Sequence, residues 1–96
     1  MAVDDYRINA QVRAVLVQRA VDMGKIEYGT TNRVIYIKGR LAPFMREEPE
    51  DAYDAKLQEA VMAKKLENVL RRLPGVRDVV FLLERVHKVG WRWRPR

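Results

Sequence analysis

The side chains best suited to contact a charged ligand lie near the C-terminal end of the sequence. In an extended chain, Trp91 and Trp93 project to one side, and Arg92 and Arg94 project to the other. Indole rings favour boundaries between apolar and wet surroundings, and arginine can bond a phosphate through two parallel hydrogen bonds. The alternation therefore predicts a binding segment within residues 87–96, which we interpret as a basic Trp/Arg tail.

The positive charge of the protein is concentrated in the same region. The chain has a formal net charge of +6 at pH 7. Residues 1–70 contain 11 basic and 11 acidic side chains, whereas residues 71–96 contain 8 basic and 2 acidic ones. A local basic excess indicates a polyanionic partner such as a lipid surface or a nucleic acid, although a merely solvated face has the same composition.

Catalytic and metal chemistry has few candidates in this composition. The 96 residues include no Cys, no Ser and a single histidine, His87, which excludes Ser-His-Asp and Cys-His catalytic sites. One histidine does not make a transition-metal site, and the acids within residues 47–51 lack EF-hand spacing and suit the beginning of a helix. No phosphate-binding glycine motif occurs. We therefore predict a non-enzymatic protein with no catalytic residue, no metal and no cofactor.

The first element predicted by the hydrophobic pattern is an amphipathic helix. Apolar residues recur with helical spacing over residues 5–23. Asp4 or Asp5 is suited to cap the beginning of this helix, and Gly24 lies where a left-handed C-terminal cap favours glycine.

A β-hairpin is predicted next. Residues 25–28 and 33–40 are enriched in β-branched or aromatic side chains, and the four residues between them predict a four-residue loop. In the second strand, Ile35 and Ile37 point toward the helices and Tyr36 points away from them.

The second predicted helix covers residues 50–72 and follows a loop over residues 42–51. Leu57 and Val61 lie on nearly the opposite side of this helix from its core stripe. They are either scattered surface residues or part of a contact with a partner. The core stripe itself consists of Ala55, Met62, Leu66, Val69, Leu70 and Leu73.

The third predicted strand covers residues 76–86 and is apolar on both sides in its middle. Two helices cover only one face of a sheet, so the tail, a second subunit or a ligand should cover part of the other face. We therefore predict a contact surface that combines the helix-free sheet face with residues 89–96. The candidate binding residues are Tyr36, Trp91, Arg92, Trp93, Arg94 and Arg96.

Two short motifs resemble those of the BON domain family. They are VIYIKGRL at residues 34–41 and LRRLPGVRDV at residues 70–79, where a hydrophobic strand meets a glycine and a helix leads into a Gly-Val-x-x-Val strand. The resemblance covers about residues 8–86, whereas the Trp/Arg tail lies outside the family pattern. The family residues matched here have structural roles, and they are Gly39, Gly75, Val76 and Val79.

The length predicts a single domain over residues 1–96, and the hydrophobic pattern predicts the element order α-β-β-α-β. The resemblance implies a two-layer α+β fold, with two helices on one face of a small three-stranded mixed sheet. It also implies an interaction module that binds a protein partner or an anionic phospholipid surface, often at a bacterial envelope. The acidic first residues lack the pattern of a secretory leader and predict a cytoplasmic location, with envelope association as the alternative.

Two further hypotheses come from the residues themselves. Aromatic side chains beside arginines are typical of single-stranded nucleic-acid binding, although the G-x-x-G clamp of KH domains is missing. An uncovered apolar sheet face is also typical of a homodimer.

Overall fold

The computed structural model describes residues 3–96. These described residues form two α-helices, a short 3-10 helix over Met23–Lys25 and five strands. In chain order the elements are α1 (Val3–Gln18), β1 (Ile26–Thr31), β2 (Val34–Gly39), α2 (Ala52–Arg71), β3 (Asp78–Leu83), β4 (Val86–Val89) and β5 (Arg92–Pro95).

The first three strands form a mixed sheet in the order β1-β2-β3. β1 and β2 are antiparallel, whereas β2 and β3 are parallel because α2 returns the chain between them. The predicted α+β class and the α-β-β-α-β order are confirmed. β4 and β5 then form a separate antiparallel hairpin.

The core lies between the two helices and one face of the sheet. Ile35 and Ile37 of β2 are fully buried there, as the alternation predicts, and Tyr36 between them is exposed on the opposite face. The other buried core residues include Ile8, Val12, Leu16, Val21, Ile26, Leu41, Ala60, Ala63, Leu66, Leu70, Val79, Leu83 and Val86.

The β1–β2 connection is tighter than predicted. Residues 29–31 pair with β2, so the four-residue loop is wrong and only Asn32 and Arg33 form the turn, with φ of 52° and 63°. Asp5 is buried inside α1 rather than capping it. Its carboxylate accepts hydrogen bonds from the backbone N–H groups of Asn32 at 3.1 Å and Arg33 at 2.7 Å, which fixes the turn to the helix.

α1 also ends before the predicted boundary at residue 23. Its last residue is Gln18, and Ala20 takes a left-handed conformation with φ of 55°. The chain turns there because the following segment bonds the long β2–α2 loop, with the Asp22 N–H donating to the Ala42 carbonyl at 2.8 Å. Gly24 therefore lies in the 3-10 helix and is not the helix cap.

The two glycines of the BON-like motifs are both needed for their backbone conformation. Gly39 has φ of 113° and Gly75 has φ of 83°, a region that favours glycine. At Gly39 a side chain would also collide with the backbone carbonyl oxygen of Lys25. Val79 is buried, and Val76 packs partly buried against the core.

The structure differs from the prediction in both the third strand and the C-terminal tail. β3 ends at Leu83, and the segment that was interpreted as a tail is most of the β4–β5 hairpin, turned at Gly90 and Trp91. Val86 is fully buried in the core, which directs the hairpin toward α2 on the helix side of the sheet. The hairpin therefore does not cover the helix-free face.

Replacing Gly39 by alanine should destabilise the protein strongly. The substitution combines a positive φ with a backbone collision, so we expect a loss of about 2–4 kcal/mol in unfolding free energy, measured by urea denaturation. Gly29→Ala is the matched control, because Gly29 lies in β1 with open space around its Cβ direction. Equal losses for both variants would contradict the assigned role of Gly39.

Candidate functional site

The hairpin and α2 together form a continuous surface that we call the helix–hairpin face. It consists of two adjoining shallow pockets on the flank of α2 where β5 packs against it. The lining residues are Tyr53, Leu57, Ala60, Val61, Lys64, Trp91, Arg92, Trp93, Arg94 and Pro95.

The helical half of this face follows from the sequence spacing on α2. Tyr53, Leu57 and Val61 are four residues apart, so they form one stripe along the helix. The core stripe is buried elsewhere on the helix, and Val61 keeps 54% of its surface exposed. The Asp51 carboxylate caps α2 by accepting from the N–H groups of Tyr53 at 2.8 Å and Asp54 at 3.2 Å, so the first turn that carries Tyr53 is well formed.

The two tryptophans have different environments. Trp93 packs edge-on against Phe81 with ring centroids 5.1 Å apart, and its Nε1–H donates to Glu67 at 3.3 Å. Trp91, at the turn of the hairpin, is 68% exposed. The guanidinium of Arg92 lies 4.8 Å from the centre of the Trp91 ring, at cation–π distance. Trp93 thus anchors the hairpin, and Trp91 is presented to solvent.

Glu67 is the carboxylate that holds the hairpin onto α2. It is only 2% exposed, and it accepts hydrogen bonds from Lys88 Nζ at 2.6 Å, Arg71 Nη2 at 3.1 Å and the indole of Trp93. Burial raises the pKa of Glu67, but the hydrogen bonds from Lys88, Arg71 and Trp93 outweigh burial and lower that pKa below its ordinary value of 4.5. The carboxylate is therefore ionised at neutral pH and binds both hairpin strands.

A second group of ions secures the beginning of the hairpin. Arg85, just before β4, contacts Glu59 of α2 through Nε at 2.6 Å and Glu48 of the β2–α2 loop through Nη1 at 2.8 Å. Burial lowers the pKa of Arg85, yet the two carboxylates raise it above its ordinary value. Glu59 also accepts from the backbone N–H of Leu41 at 3.0 Å. This network connects α2, the long loop and the hairpin.

Arg96 closes the base of the hairpin. Its backbone N–H donates to the Arg85 carbonyl at 2.7 Å, and its Nε donates to the Leu83 carbonyl at 3.2 Å. Lys56 Nζ of α2 in turn donates to the carbonyl oxygen of Arg96 at 3.0 Å. Arg96 is therefore a structural residue that holds the end of the hairpin to β3 and α2.

The six candidate binding residues do not form one surface. Tyr36, 41% exposed, lies on the helix-free face, whereas Trp93 contacts Phe81 on the helix side of β3. The predicted combination of the helix-free face with the tail is therefore wrong, because the hairpin packs on α2 instead. Of the six, the structure brings Trp91, Arg92 and Arg94 to the exposed helix–hairpin face, and it uses Trp93 and Arg96 mainly as anchors.

The helical half of this face is only partly indicated by the sequence. The helical spacing places Leu57 and Val61 away from the core stripe, and the structure places them opposite Trp91 and Trp93. Tyr53 belongs to the same stripe and had no separate indication beyond its spacing of four. A contact with a partner, one of the two interpretations of Leu57 and Val61, is compatible with this position.

The charges around the helix–hairpin face all have one sign. Its lining includes the cations of Lys64, Arg92 and Arg94 and no acidic side chain. Within residues 3–96, no ion pair involves any of these three cations. The surface is therefore an apolar strip with unneutralised positive charge, which suits an anionic amphiphile.

Metal coordination and membrane spanning find no support in the described part of the chain. Residues 3–96 contain no group of three or more His, Cys, Asp or Glu placed to hold a metal ion. Neither helix in that range is long and apolar enough to cross a membrane.

Comparison of the chain with protein-family models, with curated proteins and with solved structures gives no significant match. The resemblance to BON domains therefore stays a prediction from the two short motifs.

Replacing Glu67 by glutamine tests its role as the anchor of the hairpin. Because the pKa of Glu67 is depressed in the folded protein, its stabilisation is fully present above the unfolded value of 4.5 and is lost as the pH falls through the folded pKa. We expect E67Q to cost about 1–3 kcal/mol at pH 7, less than a fully buried pair because Lys88 and Arg71 are partly exposed.

Urea denaturation of both proteins from pH 7 to pH 3 provides the measurement. The difference in unfolding free energy should shrink as the pH falls below about 4.5. A difference that stays constant over this pH range would show that ionisation of Glu67 does not stabilise the folded protein.

Proposed function

We propose that this protein is a non-enzymatic, BON-like interaction module that attaches to anionic phospholipid surfaces through the helix–hairpin face. The observation that carries the proposal is the single sign of charge around an exposed apolar strip. Tyr53, Leu57, Val61 and Trp91 are all exposed along this strip, and the cations beside it have no acidic neighbour in the lining.

The chemistry of the face matches the two layers of a bilayer interface. Trp91 and Val61 would enter the boundary between head groups and acyl chains, where indole rings are favoured. Arg92, Arg94 and Lys64 would bond the phosphates, each contributing on the order of 1 kcal/mol near an anionic surface. Attachment of this kind is peripheral and depends on salt.

The helix-free sheet face supports this function less well. Its exposed apolar residues, Tyr36 and Leu82, are interspersed with charges of both signs. Lys38 lies beside Leu82 in the register, and Glu27 lies beside Lys38. A surface of mixed sign has no net attraction for an anionic membrane.

Placing an acid on the helix–hairpin face should weaken membrane attachment. We expect V61E to weaken binding to phosphatidylglycerol-containing vesicles by about tenfold or more, from lost apolar burial and added repulsion. Co-sedimentation with phosphatidylcholine vesicles, with and without phosphatidylglycerol, measures the effect. L82E is the matched control, because Leu82 and Val61 are each 54% exposed and lie on different faces.

L82E should bind as the wild type does, and both variants should unfold at similar urea concentrations. Equal losses in both variants would indicate general charge repulsion and contradict the proposed face. Failure of the wild type to bind anionic vesicles at low salt would contradict the lipid function altogether and direct attention to a protein partner, a nucleic acid or self-association.

Tryptophan emission should separate the anchor from the inserting side chain. Wild-type emission should move to shorter wavelength as anionic vesicles are added, because exposed Trp91 enters the interface while Trp93 stays packed on Phe81. The variant W91F, which retains only Trp93, should show blue-shifted emission from the start and little change on titration. A large vesicle-induced shift in W91F would mean that the hairpin leaves α2, and would contradict the proposed mode of attachment.

A further inference from the structure

A second basic site lies at the end of the molecule where α1 begins and the β1–β2 turn and the α2–β3 loop meet. A small pocket opens there, lined by Asp4, Arg7, Ile8, Arg33, Pro74 and Gly75. The backbone N–H of Arg77 donates to the carbonyl of Arg33 at 2.8 Å, which brings the backbone of a third arginine next to that of Arg33. We call this cluster of Arg7, Arg33 and Arg77 the arginine pole. We propose that the arginine pole binds the phosphate group of a phosphomonoester.

The backbone of Arg33 is held in a conformation that arginine rarely adopts. Both central residues of the turn have positive φ, and such turns prefer glycine at the second position, where this chain has Arg33. Two contacts hold the residue there, since its N–H donates to Asp5 and its carbonyl accepts from Arg77. Strained residues held in this way are frequent at ligand sites, where the surroundings fix the backbone before the ligand arrives.

The guanidinium groups of the pole form no ion pair with a carboxylate among the described residues. In the part of the chain that the structure describes, Arg40, Arg71 and Arg85 form ion pairs with carboxylates. The guanidinium groups of the three arginines of the pole take part in no ion pair within that same part, although the backbone N–H of Arg33 donates to Asp5. Guanidinium groups without partners next to a concave surface are suited to an anion.

Phosphate is the anion that fits this arrangement best. A phosphomonoester carries close to two negative charges at neutral pH and three acceptor oxygens, and arginine forks match its geometry. The pocket wall itself carries two arginines, Arg7 and Arg33, and one acid, Asp4. Gly75 leaves backbone accessible beside the arginines. Unlike the helix–hairpin face, the pocket presents no exposed aromatic side chain, so this proposal does not depend on the proposed function.

The substitution R33G tests the proposal without destabilising the protein. Glycine is the residue that the turn prefers, so the variant should unfold at the same urea concentration as the wild type or a higher one. Inorganic phosphate is the first probe, titrated while the backbone amide NMR signals of Arg33 and Gly75 are followed. We expect saturable shifts in the wild type and about tenfold weaker binding in R33G.

R46A is the control for loss of charge alone. Arg46 is an exposed arginine without an ion pair in the described residues, and it follows β2 at the end opposite to the turn. R46A should bind phosphate as the wild type does. Absence of saturable shifts, or equal weakening in R33G and R46A, would overturn the proposal.

A second experiment distinguishes a soluble phosphate ester from a lipid head group as the source of the phosphate. Adenosine monophosphate represents a soluble phosphomonoester, and vesicles containing phosphatidic acid represent a lipid head group, each tested on the V61E background to remove the helix–hairpin face. Saturation by the nucleotide that R33G weakens assigns the pocket to soluble phosphate esters, whereas an R33G-sensitive response to the vesicles alone assigns it to lipid. Either result supports the arginine pole.

Discussion

The buried carboxylate of Glu67 is the contact on which the arrangement of this surface depends. It receives Lys88 from β4, Trp93 from β5 and Arg71 from its own helix, so one side chain ties both strands of the hairpin to α2. A carboxylate removed from water is costly unless its oxygens are bonded, and here three donors compensate for that cost. Trp93 donates to Glu67 and packs on Phe81 at the same time, so the two contacts together fix the position of the hairpin.

Fixing the hairpin by one tryptophan leaves the other available. Trp91 lies at the hairpin turn, beyond the anchored strands, and Arg92 stays over its ring. The exposed stripe of α2 then continues the apolar strip begun by Trp91, although the two halves are about thirty residues apart in sequence. The surface proposed to meet a membrane is thus a product of the same contacts that stabilise the hairpin.

The distribution of ion pairs divides the basic residues into two kinds. Arg71 and Arg85 are held by carboxylates and serve the fold. The cations of the helix–hairpin face and of the arginine pole have no such partners among residues 3–96. The C-terminal concentration of positive charge seen in the sequence is therefore only partly available for binding, because several of its members neutralise buried acids.

The sequence by itself determined the elements whose pattern is local. The alternation of Ile35 and Ile37 around Tyr36 predicted which side of β2 is buried. Only the tertiary structure decided where the Trp/Arg segment packs. An apolar period of two predicts an extended strand, but it does not predict which element that strand packs against. The packing of β5 depends on contacts of Trp93 with Glu67 and Phe81, which lie in other elements of the chain. The tight turn at Asn32 and Arg33 was missed for the same reason, since Asp5 of the first helix stabilises it from far away in the sequence.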